Sequence, residues 1–147
     1  MSGKNTCSSL RSFYGDLLLE MADVPYVWGG SSTLGSDCSG SLCYALNGVF
    51  GTDLRYTADT LYKRFFTRRE IYNDSLKAVF FIDREQDKAV HVAGCIGGSF
   101  YMNVSSIERG KKGTIRNLKA LRDLYPDYSM DLRALDEDAW LKAGGVL

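Results

Sequence analysis

The amino-acid sequence predicts a single α+β domain in which helices come first and an antiparallel β-sheet follows. In the N-terminal half the apolar residues recur at helical spacing. From residue 76 onward they form short runs rich in Val, Phe and Ile, which favour strands. Polar or Gly-Gly connections of a few residues join these runs, as in antiparallel hairpins. A chain of 147 residues without a repeat or linker-like segment is predicted to form one domain over residues 1–147.

Composition and charge exclude several classes of function. The formal net charge is zero, so no overall field attracts nucleic acid or an anionic membrane. Cys7, Cys38, Cys43 and Cys95 lack the paired spacing of a zinc site, and His91 is the only histidine, so we expect no metal site and no cofactor. No stretch is apolar enough to span a bilayer, and the N-terminus lacks the apolar region of a signal peptide. We therefore expect synthesis in the cytoplasm without membrane insertion, and action elsewhere only after release.

The first helix is predicted from apolar residues that lie three or four positions apart. These residues are Leu10, Phe13, Tyr14, Leu17, Leu18 and Met21. Ser8 or Ser9 is expected to cap the helix, and Pro25 to end it or to start the next turn.

Two further helices precede the sheet. Asp37 marks the entry to a helix over residues 38–49, which Gly48 or Gly51 closes. Because this helix is apolar on several sides, we expect it to be central and largely buried. Thr57 is predicted to cap a third helix that runs to Phe66.

The predicted sheet is a meander of three strands. The apolar runs cover residues 76–82, 89–96 and 99–104, joined by a polar hairpin over 83–88 and a tight turn at Gly97-Gly98. Beyond residue 111 the pattern predicts a helix over 118–125, a strand over 128–132 and a loose C-terminal tail.

Cys38 is the candidate nucleophile because it lies where a glycine-rich loop becomes a helix. The unpaired N–H groups and the positive dipole end of a helix favour a thiolate and are expected to lower its pKa. The alternative is that Cys38 is one more small buried residue, since free cysteine is among the most buried residue types.

A cysteine nucleophile needs a general base, and His91 is the one histidine that can supply it. In a strand, His91 shares its face with small residues, which leaves room for the helix that carries Cys38. A hairpin at Gly97-Gly98 brings Asn103 near the level of His91, where its carbonyl oxygen is expected to accept Nδ1–H. The alternatives are a strand histidine satisfied by local hydrogen bonds and an asparagine at a turn or an edge.

The combination of motifs resembles the NlpC family of cell-wall cysteine peptidases, which are papain-like in fold. The similarity lies in Pro25-Tyr26-Val27-Trp28-Gly29-Gly30, Asp37-Cys38-Ser39-Gly40, Leu54-Arg55-Tyr56-Thr57-Ala58, His91-Val92-Ala93 and Asn103, and spans residues 10–104. It implies N-terminal helices packed on an antiparallel sheet, with the catalytic cysteine at a helix N-terminus.

The resemblance also implies a role for each matching residue. Cys38 is the nucleophile, His91 the general base and acid, and Asn103 the residue that orients the imidazole. The hydroxyl of Tyr26, with the backbone N–H of Cys38, stabilises the oxyanion. Tyr26, Asp37 and Ser39 further match a pocket for a free N-terminal amine, although Asp37 has the alternative role of helix N-cap. Trp28 is expected to be a buried aromatic residue.

The family substrate is the stem peptide of bacterial peptidoglycan, commonly cleaved between D-γ-glutamate and a diamino acid. The expected partner is therefore a muropeptide. A phage lysin or a tail-associated peptidase is the favoured setting, and a cytoplasmic peptidase that recycles cell-wall peptides is the alternative.

Two other classes of function remain as alternatives to a peptidase. One is an acyltransferase similar to lecithin retinol acyltransferase, although those usually have histidine before cysteine, whereas Cys38 precedes His91. The other is a non-catalytic binding module.

Overall fold

A computed structural model of the chain describes the backbone of residues 3–147 and the side chains of residues 10–147. The helices are α1 (Gly3–Leu19), α2 (Cys38–Phe50), α3 (Ala58–Thr60), α4 (Leu118–Leu124) and α5 (Glu137–Ala143), and a π-helical turn (Leu61–Phe65) continues α3. The strands are β1 (Ser31–Ser32), β2 (Gly35–Ser36), β3 (Lys77–Asp83), β4 (Lys88–Gly97), β5 (Phe100–Val104), β6 (Gly113–Asn117) and β7 (Ser129–Ala134). Helices and an antiparallel sheet are present in the predicted order, so the α+β class is confirmed.

Five strands form one antiparallel sheet in the order β6-β5-β4-β3-β7, and β1 and β2 form a separate short hairpin. The predicted meander is the centre of this sheet. Two edge strands complete it, of which sequence analysis predicted only part of β7. In β6 only Gly113 is buried and Ile115 is 44% exposed, so this strand has neither an apolar run nor an apolar alternation that would reveal it in the sequence.

The sheet separates two clusters of buried side chains. Leu42, Leu46 and Val92 belong to the larger cluster, which α1 and α2 form with one face of the sheet. Phe81 and Leu121 belong to the smaller cluster, in which α4 covers the opposite face. Each strand of the centre is therefore apolar on both faces, which explains why it appears in the sequence as an unbroken apolar run.

Both ends of α1 differ from the prediction, since the helix ends at Leu19 and does not continue to Pro25. The helix begins at Gly3, so Ser8 and Ser9 lie inside it and the predicted serine cap is wrong. Serine inside a helix costs only a few tenths of a kcal/mol relative to alanine, so a serine pair does not force a helix to begin there. Phe13 of the predicted apolar stripe is 46% exposed, and Tyr14 beside it is buried.

The predicted limits of α2 and the cap of α3 are confirmed. The carboxylate of Asp37 accepts a hydrogen bond from the backbone N–H of Gly40, and Gly51 ends α2 in the left-handed conformation with φ 66°. Thr57 accepts the N–H of Thr60 at the start of α3. The π-helical turn that follows was not predicted.

The C-terminal segment is not a loose tail, and that prediction is wrong. Asp136 caps α5, which inserts Trp140 completely into the core. The indole N–H of Trp140 donates to the hydroxyl of Thr52 at 2.9 Å, and its ring packs edge-on against Phe65. One large buried side chain on a two-turn helix gives no periodic apolar pattern, so the sequence does not reveal that α5 packs on the core.

Across the described helices, none combines the length and apolar character needed to cross a bilayer.

Candidate active site

A cavity of about 970 Å³ opens between the N-terminal end of α2 and the part of β4 that contains His91. Five of the six predicted site residues line it, namely Tyr26, Asp37, Cys38, Ser39 and His91. The sixth, Asn103, is fully buried directly behind His91. The structure therefore brings together all six residues that the sequence singled out. Among the described residues, no group of three or more His, Cys, Asp or Glu side chains is arranged to hold a metal ion.

Cys38 is the first residue of α2, and its sulfur lies beside β4. Burial raises the pKa of the Cys38 thiol to about 11, and the Asp37 carboxylate acts in the same direction. The nearby backbone N–H groups of Val92 and Ser39 act against this increase without cancelling it. The expected decrease in pKa is therefore wrong, because desolvation outweighs the helix terminus. At neutral pH the resting thiol keeps its proton and needs a base to remove it.

The imidazole of His91 is fixed on several sides. Its Nε2 lies 2.6 Å from Oδ1 of Asn103. The ring stacks on Tyr125, with 4.5 Å between centroids, and lies 5.5 Å from the ring of Phe81. The predicted contact between His91 and Asn103 is present, but the predicted nitrogen is wrong. Because Asn103 binds Nε2 and not Nδ1, Nδ1 is the nitrogen left for a second partner.

The element that covers the His91 face of the sheet also differs from the prediction. Ala93 and Cys95, which share this face, pack in the cluster that α4 covers, whereas α2 packs on the opposite face. The sulfur of Cys38 instead approaches the backbone of β4 at Val92. A β-bulge lies next to this point, because Phe81 pairs with His91 and Ile82 pairs with Ala89. Such bulges bend a strand locally and redirect its side chains.

His91 is neutral at physiological pH. Burial lowers the pKa of the imidazole to about 4, although the hydrogen bond to Asn103 and the carboxylates of Glu108 and Asp37 favour the charged form. A neutral imidazole is the form that accepts a proton from a thiol.

This shift predicts acid sensitivity of the fold. Because the pKa of His91 is about 4 when folded and about 6.5 when unfolded, the unfolded chain binds the proton more strongly between these values. The stabilisation is complete above the unfolded value and is lost as pH falls toward the folded value. We expect urea unfolding to show roughly 2 kcal/mol less stability at about pH 5 than at about pH 7.5.

The matched control for this prediction is His91→Gln, which removes the titrating ring. The variant is expected to lose much less stability than the wild type over the same pH interval. Stability curves that run parallel for the two proteins would contradict an imidazole that is buried in the neutral form.

Asp37 is the helix cap that the alternative interpretation predicted, and it has further partners. Its Oδ1 accepts from the backbone N–H of Gly40 and from the guanidinium of Arg55, both at 2.7 Å, and from the hydroxyl of Ser39 at 3.3 Å. Its Oδ2 accepts from the N–H of Gly29 at 2.9 Å. The carboxylate thus joins the glycine turn, the first turn of α2 and Arg55 at the wall of the cavity.

Comparison with known proteins shows the family. The model of the NlpC/P60 family matches residues 23–128. The chain belongs to the NlpC/P60 family. A curated relative, Dipeptidyl-peptidase 6 of Lysinibacillus sphaericus, is 34% identical over an alignment of 114 residues that covers 74% of this chain and 36% of that protein. The chain therefore spans about a third of the length of this relative.

Solved structures of the family share the fold. The NlpC/p60 domain of the peptidoglycan hydrolase SagA matches 86% of this chain and 97% of its own, with 19% identity and a TM-score of 0.57. NlpC1 from Trichomonas vaginalis matches 84% of this chain and 42% of its own, with 19% identity and a TM-score of 0.62. The papain-like fold predicted from the NlpC resemblance is thereby confirmed.

One residue of the NlpC/P60 motif lies in an unexpected place. Trp28 was predicted to be buried, but it is 85% exposed and lines the mouth of the cavity, so this prediction is wrong. It precedes Gly29, whose φ of 80° is in the left-handed region, and the resulting turn directs the indole away from the core. Tyr26 is half-buried in the same wall, and burial raises the pKa of its hydroxyl, which therefore remains a hydrogen-bond donor.

Three residues of this NlpC/P60 site were missed by sequence analysis. Arg55 lies in the stretch that resembles the family, but nothing in the sequence pairs it with Asp37. Tyr125 and Glu108 belong to the C-terminal third, which carries no motif, and they reach the site only through the packing of α4 and the β5–β6 connection. For these two residues no sequence signal exists.

Proposed function

We propose that this chain is a cysteine peptidase that hydrolyses peptide bonds in the stem peptides of bacterial peptidoglycan. The observation that carries the proposal is the shared cavity. It brings the thiol of Cys38 to the strand segment that holds His91, whose Nε2 is already bound by Asn103. Membership of the NlpC/P60 family supports the substrate class.

In this mechanism the neutral imidazole of His91 removes the thiol proton as the sulfur attacks the peptide carbonyl. The C–S bond forms, and the carbonyl oxygen becomes an oxyanion. The backbone N–H of Cys38 and the hydroxyl of Tyr26 are the donors proposed to stabilise it. The imidazolium then protonates the leaving amine as the C–N bond breaks. Water hydrolyses the resulting thioester, with His91 again acting as base, and the thiol is regenerated.

The proposed scissile bond joins D-γ-glutamate to a diamino acid. The test is digestion of defined muropeptides, with mass spectrometry to identify the new amino terminus. We expect products that begin with the diamino acid. Cleavage at another bond would change the assigned specificity. The absence of any turnover would contradict the peptidase proposal and favour the acyltransferase or binding-module alternatives.

A second candidate is an exopeptidase that recognises a free N-terminal amine, as the name of the Lysinibacillus relative suggests. Asp37 supports this candidate because its carboxylate lies in the cavity wall, and among residues 10–147 only the N–H of Gly29 donates to Oδ2. Arg55 opposes it, because its guanidinium already neutralises the charge that would attract an amine. We therefore favour the endopeptidase.

A matched pair of substrates distinguishes the two candidates. The tripeptide L-Ala-γ-D-Glu-diamino acid is offered with a free amine or with an N-acetyl group, which mimics the amide to muramic acid in the intact wall. We expect both to be cleaved. Strict dependence on the free amine would favour the exopeptidase and a cytoplasmic recycling role. Cleavage of the acylated peptide would support the setting that we propose, in which the enzyme acts on the intact cell wall after release, as a phage lysin or tail peptidase does.

A further inference from the structure

A line of hydrogen-bonded side chains continues behind His91. Nδ2 of Asn103 donates to Oε2 of Glu108 at 2.8 Å, and it also lies 3.4 Å from the hydroxyl of Tyr125. Glu108 in turn accepts two hydrogen bonds from Arg116, at 3.0 and 2.6 Å. His91, Asn103, Glu108 and Arg116 therefore form one continuous line that runs from the cavity toward the edge of the sheet.

Glu108 is an ionised carboxylate in this line, although it is only 3% exposed. Burial by itself raises the pKa of Glu108, but the hydrogen bonds from Arg116 and Asn103 outweigh it and hold the pKa below its ordinary value. An ionised carboxylate accepts hydrogen bonds and donates none. Any group that faces it at 2.8 Å must therefore be a donor.

This requirement fixes the orientation of the Asn103 amide. The side chain has a donor end and an acceptor end, and the donor end must face Glu108. The acceptor end, Oδ1, therefore faces Nε2 of His91, which must carry a proton to make the 2.6 Å contact. A neutral imidazole with its proton on Nε2 has an unprotonated Nδ1, and this is the atom able to accept a proton from Cys38.

We propose that Glu108 is a positioning residue that sets the tautomer of His91 through Asn103. It does not line the cavity, so it acts without touching the substrate. In the Ser-His-Asp triad a carboxylate contacts the histidine directly, whereas here, as in the papain-type Cys-His-Asn arrangement, an amide makes that contact. An amide alone can present either end to the imidazole, and Glu108 removes this ambiguity. The catalytic consequence rests on the proposed peptidase function, but the tautomer does not.

The tautomer is measured directly, because His91 is the only histidine of the chain. Long-range ¹H–¹⁵N correlation spectra of tag-free, ¹⁵N-labelled protein at about pH 7 report which ring nitrogen is protonated. We expect the wild type to have the proton on Nε2. A wild-type protein with the proton on Nδ1 would overturn the proposal, whatever its activity.

Two variants assign the effect to Glu108. In Glu108→Leu an apolar side chain of similar size replaces the carboxylate. The Asn103 amide then loses its fixed acceptor, and a mixture of tautomers is expected. In the double variant Glu108→Leu with Asn103→Asp, both ends of the side chain at position 103 are acceptors, so the Nε2–H tautomer is expected to return. A residue that only stabilises the fold would not be rescued in this way.

Turnover of the muropeptide provides the second measurement. We expect Glu108→Leu to lower kcat at least about tenfold with little change in KM, and the double variant to recover part of this loss. A wholly incorrect tautomer costs about 10⁴-fold in the serine protease triad, which bounds the effect. Glu108→Leu with unchanged tautomer and kcat overturns the proposal, and so does failure of both variants to fold. If the wild type turns over no peptide, the peptidase function fails while the spectra still decide the role of Glu108.

Discussion

Cys38→Ala is expected to abolish peptide hydrolysis while leaving the fold in place. The substitution replaces one small side chain with another at the wall of the cavity, so little packing is lost. Without the sulfur no thioester forms, and the imidazole of His91 has no nucleophile to activate. Removing the nucleophile of a comparable catalytic set costs about 10⁶-fold in kcat, and we expect a loss of at least about 10⁴-fold here.

The matched control is Cys95→Ala, which removes a buried thiol from β4, the strand that also carries His91. Cys95 lies outside the cavity, and its sulfur contacts the carbonyl of Gly98 in the β4–β5 turn. This variant is expected to retain its turnover, with a small loss of stability. If Cys38→Ala kept turnover within tenfold of the wild type while Cys95→Ala also did, the reaction would not proceed through a thiol of Cys38.

The losses of turnover caused by Cys38→Ala and by His91→Ala are expected not to add in the double variant. His91→Ala removes the base, and the thiol of Cys38, whose pKa in the intact site is about 11, then has no imidazole to take its proton. The double variant Cys38→Ala with His91→Ala should therefore be no slower than Cys38→Ala alone, because residues of one catalytic set act as a unit. Additive losses would indicate that the two side chains serve separate steps.

The parts of the site that local chemistry determines were predictable from the sequence. Asp37 before an apolar helix indicates a capped N-terminus, and it fixes where Cys38 lies. A Gly-Gly turn between two apolar runs pairs the strands that carry His91 and Asn103. Each of these inferences needs only a few neighbouring residues, and for that reason each was confirmed.

The parts that depend on packing were not predictable. The pKa of Cys38 rises because elements from distant parts of the chain exclude water from the sulfur, and no local pattern records this. Glu108 and Tyr125 reach Asn103 from a connection and a helix without a motif. The docking of Trp140 likewise depends on a pocket that exists only in the folded protein.

Gly40→Ala is expected to cause one of the largest losses of stability available to a single methyl group. A Cβ atom at Gly40 would overlap the backbone carbonyl oxygen of Gly30 and would lie 2.9 Å from Oδ1 of Asp37. Alanine is favoured over glycine inside a helix by about 1 kcal/mol, but this gain is outweighed by a clash with backbone, which cannot move aside as a side chain does. We expect a net loss of roughly 2 kcal/mol or more and a Tm lower by roughly 5 to 10 °C.

The same helix offers a matched control in Gly48→Ala. There the added Cβ would meet the terminal methyl groups of Leu17, which rotate away at a smaller cost. Thermal unfolding is therefore expected to separate the two variants, with Gly48→Ala close to the wild type. Equal Tm values for the two variants would contradict this prediction. They would mean that the backbone at Gly30 moves away from an added methyl group as easily as the side chain of Leu17 does.

Gly40→Ala is also expected to affect turnover beyond its effect on stability. The carbonyl of Gly30 accepts the N–H of Asp37, so the contact that the new methyl group displaces also holds the residue before Cys38. A shift of the first turn moves the sulfur relative to His91, and displacements of about 1 Å cost on the order of 10²-fold in rate. At a temperature where the variant is fully folded, kcat should therefore remain well below that of Gly48→Ala. Full activity of folded Gly40→Ala would show that the position of Cys38 does not depend on this close approach of the two backbone segments.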